Sequence, residues 1–329
     1  MKKTLSCRAV FTGLLSASLL ATVPLSAQAT DKDWPSKPIR IIVAFAPGGL
    51  TDIIARTFQP SLMETFGQPV IIENKPAAGG TVAEAQLAGS EPDGYTLLMT
   101  ADGVPANPHL HSHLNYDTLT DLLPVSQLVR IPLVMLVNQQ VPVKTVGELV
   151  DYARQSPGRY SYASPGTGTS NHLYFEVFKD MAKFDMIHAP YKGGSPAMND
   201  LMGGHVQALL ISGTLAVPQA KGGKVKALAV TSSERLADLP DVPTFSESGY
   251  AEFAPHQWTG LYVPKDTPQP LVERIYDAFA KAANDPDVQK RLKELNAEPI
   301  MTRPDEFKRF MADTHGLMGN LIRTKQITK

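Results

Sequence analysis

Ile39-Arg40-Ile41-Ile42-Val43-Ala44-Phe45 runs into Ala46-Pro47-Gly48-Gly49-Leu50-Thr51-Asp52, and this junction decides the fold class. The β-branched run reads as a strand buried on both faces, the pattern of a parallel sheet. Pro47-Gly48-Gly49 breaks it. Over residues 51–66, Ile54, Phe58 and Leu62 recur at helical spacing, which predicts a helix with Pro60 kinking it. Gly67-Gln68-Pro69 closes that helix, and residues 70–73 read as the next strand. A helix at 83–88, an Asp93-Gly94 turn and a strand at 95–100 complete a βαβαβ rhythm, the signature of a doubly wound sheet.

Downstream, a second series repeats the rhythm. Strands are expected at 133–137, 160–163, 187–189, 206–211 and 225–230, with helices at 172–181 and 197–202. The C-terminal region reads as helices over 270–283, 285–295 and 304–321. A chain of 329 residues exceeds one compact core and fits two lobes, expected to meet near 128–133 and 253–261.

Upstream, Lys2, Lys3 and Arg8 precede an apolar run, which ends at Ser26-Ala27-Gln28-Ala29. This order reads as a secretory signal peptide cleaved after Ala29. The only cysteine, Cys7, would leave with it, so no disulfide is expected in the mature chain. Lysine and arginine total 31 against 32 acids, which removes the basic footprint of a nucleic-acid binder.

Two loops stand out, each between a predicted strand and a predicted helix. One is Ala46 to Asp52, quoted above. The other is Ser164-Pro165-Gly166-Thr167-Gly168-Thr169-Ser170-Asn171-His172. Each reads either as an ordinary turn or as an anion site. In the second reading, glycines let backbone N–H groups approach a ligand at a helix N-terminus. Thr51, Thr169 and Ser170 are candidate N-caps or hydroxyl donors, and Asp52 either caps its helix or orients the loop.

Other chemistries are poorly supported. No dinucleotide or phosphate-loop glycine pattern is present. Gly193-Gly194-Ser195-Pro196-Ala197 lacks the second glycine of a nucleophile elbow, and Ser170 with His172 is only a pair in sequence. His109, His111 and His113 resemble a metal cluster, but Asn107-Pro108 opens a short helix on which they would diverge onto a solvated face. Trp258 either lines a pocket or packs where the lobes cross.

Taken with these loops, further blocks carry a family resemblance. They include Gly67-Gln68-Pro69-Val70, Glu73-Asn74-Lys75-Pro76, Pro92-Asp93-Gly94-Tyr95-Thr96, Gly168-Thr169-Ser170, Pro190-Tyr191-Lys192-Gly193 and Leu239-Pro240-Asp241-Val242-Pro243. Spanning nearly the whole mature chain, the pattern resembles the Bug receptors, solute-binding components of tripartite tricarboxylate transporters. The resemblance implies a two-lobed α/β periplasmic binding protein, type II-like, with a mostly parallel sheet in each lobe and the ligand cleft between them. It implies lobe 1 over 30–130, lobe 2 over 131–253 and a return to lobe 1 over 254–329. No catalysis, cofactor or metal is expected, and the receptor is expected to act as a monomer.

The resemblance further implies that a ligand carboxylate sits between the two loops. It points to Pro47, Gly48, Gly49, Thr51 and Asp52 on one side and to Ser164, Thr167, Gly168, Thr169 and Ser170 on the other. Ala101 and Asp102 border the same cleft. Where many members carry an Asp-Asn pair, this chain has Ile211-Ser212, followed by Gly213 and Thr214. Ser212 and Thr214 therefore join the expected site, and an amine-free mono- or dicarboxylate with an aliphatic or aromatic body is the expected ligand. The rival functions are a ligand sensor for a membrane signalling partner and a secreted ester or amide hydrolase.

Overall fold

The computed structural model describes residues 34–327; the expected leader lies outside them. In chain order, β1 (Ile39–Val43), α1 (Leu50–Phe66), β2 (Val70–Asn74), α2 (Thr81–Ala88), β3 (Thr96–Ala101) and α3 (Asn107–Leu110) lead into a long strand, β4 (Leu122–Asn138). Then follow α4 (Val146–Arg154), β5 (Ser161–Ser164), α5 (Ser170–Ala182), β6 (Ile187–Pro190), α6 (Gly194–Gly203), β7 (Ala208–Ser212), α7 (Gly213–Lys221) and β8 (Val225–Val230). The chain ends with β9 (His256–Pro264), α8 (Gln269–Ala283), α9 (Pro286–Glu294), β10 (Glu298–Pro299) and α10 (Pro304–Thr324).

The expected opening is present. Ile39, Ile41, Ile42 and Val43 are fully buried, and β1 pairs in parallel with both β2 and β3. Ile54, Phe58 and Leu62 form the inner stripe of α1, with Phe58 packed on Phe279 of α8 at 5.8 Å between ring centroids. The helix continues through Pro60 to Phe66 and stops at Gly67, whose left-handed φ of 62° lets its N–H reach the Met63 carbonyl.

The sheets are mixed where mostly parallel ones were expected. One sheet runs β2-β1-β3-β9-β4, with β9 antiparallel to both neighbours. In the other, β5 is parallel to β6 and β7, while β4 is antiparallel to β7 and β8. Both sheets share β4. Its partner changes from β9 at Pro132 to β7 at Leu133. Along the second half of β4, Leu133, Met135 and Val137 enter one apolar cluster and Val134 and Leu136 another, so both faces are buried. The strand expected at 133–137 is thus the end of a much longer element. The helices α4 and α7 were not expected either.

Candidate functional site

A cavity of about 470 Å³ is lined by strand ends and helix starts contributed by both sheets. Of the expected residues, Gly48, Gly49, Thr51, Ala101, Asp102, Gly168, Thr169, Ser170, Ser212 and Thr214 line it. Pro47, Asp52, Ser164 and Thr167 do not. Each of these corrections has a local reason, except that for Thr167 the structure shows only that it is half-buried beside the lining.

Asp52 is turned away from the cavity into its own loop. Only 2% exposed, it accepts hydrogen bonds from Gly48 N–H (2.9 Å), Arg56 Nε (2.9 Å) and Asn74 Nδ2 (2.9 Å). Burial opposes its ionisation, but the bonds from Arg56, Gly48 and Asn74 outweigh that and hold the carboxyl below its usual range. Asp52 is therefore a loop clasp, and the N-cap of α1 is Gly49. Pro47, on the same loop, is exposed.

The second loop is built in a similar way. Ser164 is fully buried beneath it, and its Oγ accepts from Gly166 N–H (3.2 Å) and lies 2.7 Å from His188 Nε2. Gly168 N–H donates to His172 Nδ1 (3.0 Å), and the Thr169 hydroxyl donates to the Gly166 carbonyl (2.8 Å). His172 and His188 stack at 3.8 Å, and burial pushes both imidazoles down to about 4. His172 thus supports the loop through Nδ1, and the Ser170 hydroxyl bonds Asp102.

These contacts change which groups face the cavity. The N–H groups of Gly48, Gly49 and Gly168 are consumed inside the loops, by Asp52, Ala46 and His172. The backbone bonds of α1 begin with Ile53 N–H to Gly49 O, and those of α5 with Leu173 N–H to Thr169 O. Among the lining residues, the N–H groups of Leu50, Thr51, Ser170 and Asn171 precede those bonds, as the unpaired first amides of a helix do. The glycines shape the loops; the helix starts carry the donors.

Further helix starts converge on the same space. Gly194 and Ser195 open α6, while Ser212 caps α7 and Thr214 lies in its first turn. Four helix N-termini thus meet at one cavity, and no Lys, Arg or His is among its lining residues. The Thr214 hydroxyl, expected to face a ligand, instead donates to the Leu295 carbonyl at 2.7 Å.

Asp102 is the sole ionisable side chain in the lining. It is 9% exposed, and one of its carboxyl oxygens has no hydrogen-bond partner among the described residues. Burial pushes its pKa up to about 7, only partly offset by hydrogen bonds from the Ser170 hydroxyl and its own backbone N–H.

Several lining groups were missed. Gln257 of β9 donates to Asn171 Oδ1 of α5 at 3.1 Å, while Asn171 Nδ2 donates to the Leu210 carbonyl. Phe45, Leu50, Ile53 and Leu215 add apolar surface beside Ile211. Trp258 fulfils both of its readings: its ring packs edge-on against Phe307 and Phe310, and the residue lines the cavity, its buried indole N–H without an acceptor among the described residues.

The histidine stretch is corrected as well. The helix α3 ends at Leu110, so His111 and His113 leave it, and Asn107 is its first residue, with its amide donating to Glu84 at 3.0 Å. His109 packs on His315 of α10 at 4.3 Å between ring centroids. No group of three metal-ligating side chains occurs among the described residues.

Comparison with known proteins gives this geometry its context. The family model described as tripartite tricarboxylate transporter family receptor matches residues 54–327. Protein BugT of Bordetella pertussis is 33% identical over 308 residues, covering 92% of this chain and 94% of that protein. The structure of R. palustris Rpa4515 with adipate has a TM-score of 0.78 at 29% identity, covering 90% of this chain and all of that one. MatC (Rpa3494) from Rhodopseudomonas palustris with bound malate has a TM-score of 0.74 at 32% identity, with 88% of this chain and all of that one covered. Their two-sheet α/β architecture is that of periplasmic binding proteins, and this chain shares it. On sequence and fold together, the chain belongs to the tripartite tricarboxylate transporter receptor family of periplasmic solute-binding proteins.

Proposed function

We propose that this receptor captures an amine-free mono- or dicarboxylate with an aliphatic or aromatic body and delivers it to a tripartite tricarboxylate-type membrane transporter. The carrying observation is the convergence of four helix N-termini on a cavity without a cationic side chain. Such a space stabilises an anion through backbone donors and dipoles. Relatives of known structure hold adipate and malate, both dicarboxylates, which supports the class. A volume of about 470 Å³ is in the range of small-molecule sites.

The amine-free part rests on charge. A buried ammonium needs a carboxylate or several acceptors to offset its desolvation. At the expected acidic position stand Ile211 and Ser212, and Asp52 is already occupied by its own loop. We assign the ligand side of the cleft to residues 50–52 of lobe 1 and 170–172 of lobe 2, with 254–327 returning to lobe 1. The receptor works as a periplasmic monomer after loss of residues 1–29, and it performs no catalysis. Among the described residues no helix is long and apolar enough to cross a membrane.

A thermal-shift panel of adipate, malate, citrate, terephthalate, aspartate and glutamate tests the proposal. A ligand that binds only the native state raises the midpoint. One or more amine-free acids are expected to do so at micromolar concentration. Stabilisation by amino acids alone would overturn the ligand class, and no response to any acid would overturn the carboxylate reading.

A further inference from the structure

We propose that Asp102 is the proton-linked specificity residue of the cleft: it binds one proton from solvent as a carboxylate ligand enters, and as a neutral acid donates that hydrogen to a ligand oxygen. The inference rests on the carboxylate-receptor reading above and deepens it. Its basis is the placement of a single buried carboxyl in a cavity otherwise built to attract anions.

Asp102 follows β3 and meets α5 through the Ser170 hydroxyl, while its second oxygen is buried without a partner among the described residues. That oxygen is the one position where an uncompensated charge, or a proton, has to be accommodated. Among the described residues, no cation acts on Asp102. From α5 comes the Tyr174 phenol, which burial and Asp102 itself hold far above its usual range, so it stays neutral. Behind Asn107 of α3 lies Glu84 of α2, a buried group already bonded by Asn107 and by the Tyr116 hydroxyl. His256 of β9 accepts from the Tyr174 hydroxyl through its backbone carbonyl, and burial keeps its imidazole neutral.

A ligand carboxylate entering this space would stand beside Asp102 with helix dipoles as the only positive potential. Two carboxylates sharing such a site cannot both remain ionised, and the more desolvated one takes the proton. Burial has already pushed Asp102 up to about 7, whereas a simple carboxylic acid in water ionises near the ordinary carboxylate range. The proton therefore goes to Asp102. A neutral carboxyl supplies one O–H donor, and its bond to an ionised oxygen is of the strong charge-assisted kind. Selectivity follows from the same chemistry: a neutral Asp102 rewards a carboxylate oxygen and gives an ammonium group no counter-ion.

Calorimetry with adipate, or with whichever acid of the panel stabilises the protein most, tests this from about pH 6 to about pH 9. Titrations in phosphate and in Tris, whose ionisation heats differ, count the protons exchanged. For the unaltered protein, affinity is expected to fall roughly tenfold per pH unit above about pH 7.5, with close to one proton taken up per ligand. Asp102→Asn keeps a neutral donor without a titrating group. Its affinity is expected to be flat with pH, to exceed that of the unaltered protein above about pH 8, and to involve no proton uptake. The proton count on the unaltered protein stands even if the variant folds poorly. Binding without proton uptake above about pH 8, affinity that rises with pH, or the same pH slope in Asp102→Asn would each overturn the inference and leave the receptor reading intact. Absence of binding by any acid at any pH would remove both.

Discussion

Asp52→Ala tests the claim that one buried carboxylate holds the first anion loop in shape. The side chain anchors Gly48, whose φ of 77° is in the left-handed region, and ties the loop to Asn74 on β2. Removing it strands two donors, Gly48 N–H and Asn74 Nδ2, each bonded to a charged acceptor and each contributing about 1.5–3 kcal/mol. Gly48 is exposed and regains water, and Asn74 Nδ2 keeps its bond to the Phe45 carbonyl, so the lower end applies to both. Arg56 is half exposed, and its pair adds about 0–1 kcal/mol. The expected loss is about 3–4 kcal/mol, read as a shift of the urea midpoint at constant slope.

Binding should suffer with it. The amides of residues 50–52 start where the loop ends, so adipate affinity is expected to drop at least tenfold, about 1.4 kcal/mol. The pH dependence has a defined sign. Asp52 ionises below its unfolded value, so its contribution is present above about pH 4 and disappears as pH falls through the folded value. The stability gap between variant and unaltered protein should therefore close in acid. A variant within about 0.5 kcal/mol of the unaltered protein, with unchanged affinity, would refute the clasp role.

Gly260→Ala is expected to cost about 1–3 kcal/mol by overpacking, because a Cβ there would meet Phe307 at 2.6 Å and Tyr262 at 2.9 Å; chemical denaturation measures it. Gly319→Ala in α10 should also destabilise by about 1 kcal/mol, its helix-propensity gain notwithstanding, since the new methyl would lie 2.5 Å from the His109 ring. A melting temperature at or above the starting value would show that the ring moves aside freely. Asp102 holds a proton in the native state up to about pH 7 that the unfolded chain releases near the usual carboxylate range, so its contribution is lost as pH rises across that window. Asp102→Asn should therefore become more stable relative to the unaltered protein between about pH 4 and pH 7, by up to about 4 kcal/mol in urea titrations; a constant difference would place the native pKa near its ordinary value.

Much of this architecture was legible where local chemistry and tertiary environment agree. Apart from Arg40, which pairs with Glu73, the run from Ile39 to Phe45 is apolar because β1 is covered on both faces, and the four-residue spacing of Ile54, Phe58 and Leu62 maps onto the buried stripe of α1. Legibility failed where partners are distant. Ser126, Gln127 and Arg130 interrupt the apolar pattern of β4, where the returning chain holds the strand: Ser126 Oγ donates to the Thr302 carbonyl, the Gln127 backbone N–H to the Thr302 hydroxyl, and Arg130 to Glu298. Pro218 masked α7, although a proline one turn inside a helix removes only one amide bond. The start of α4 did carry a signal, since Thr145 accepts from Glu148 N–H in the spacing of a capping box.

The glycine patterns picked out two loops that line the cavity, but the N–H groups of Gly48 and Gly168 are taken up within those loops. Glycine implies a close approach by something; here that something is Asp52 or His172 of the same chain. Nothing near Gln257 or Asn107 in sequence announces a cavity, because both arrive there through pairing with elements formed elsewhere. Ala101 and Asp102 came from the family resemblance, not from any local pattern.

The position of β9 has a consequence for how the chain assembles. In space it lies between β3 and β4, which do not pair with each other; in sequence it follows both, after the whole of the second sheet. Until residues 256–264 arrive, β3 and the first half of β4 each present an unpaired apolar edge. This late strand must then slot between two waiting neighbours across a separation of more than a hundred residues, a closure that is entropically slow. Such edges are templates for pairing with other chains, so the nascent protein is most exposed to aggregation just before its final quarter is available. A chain truncated before His256 would lose more than its last helices: it would leave its first sheet split in two.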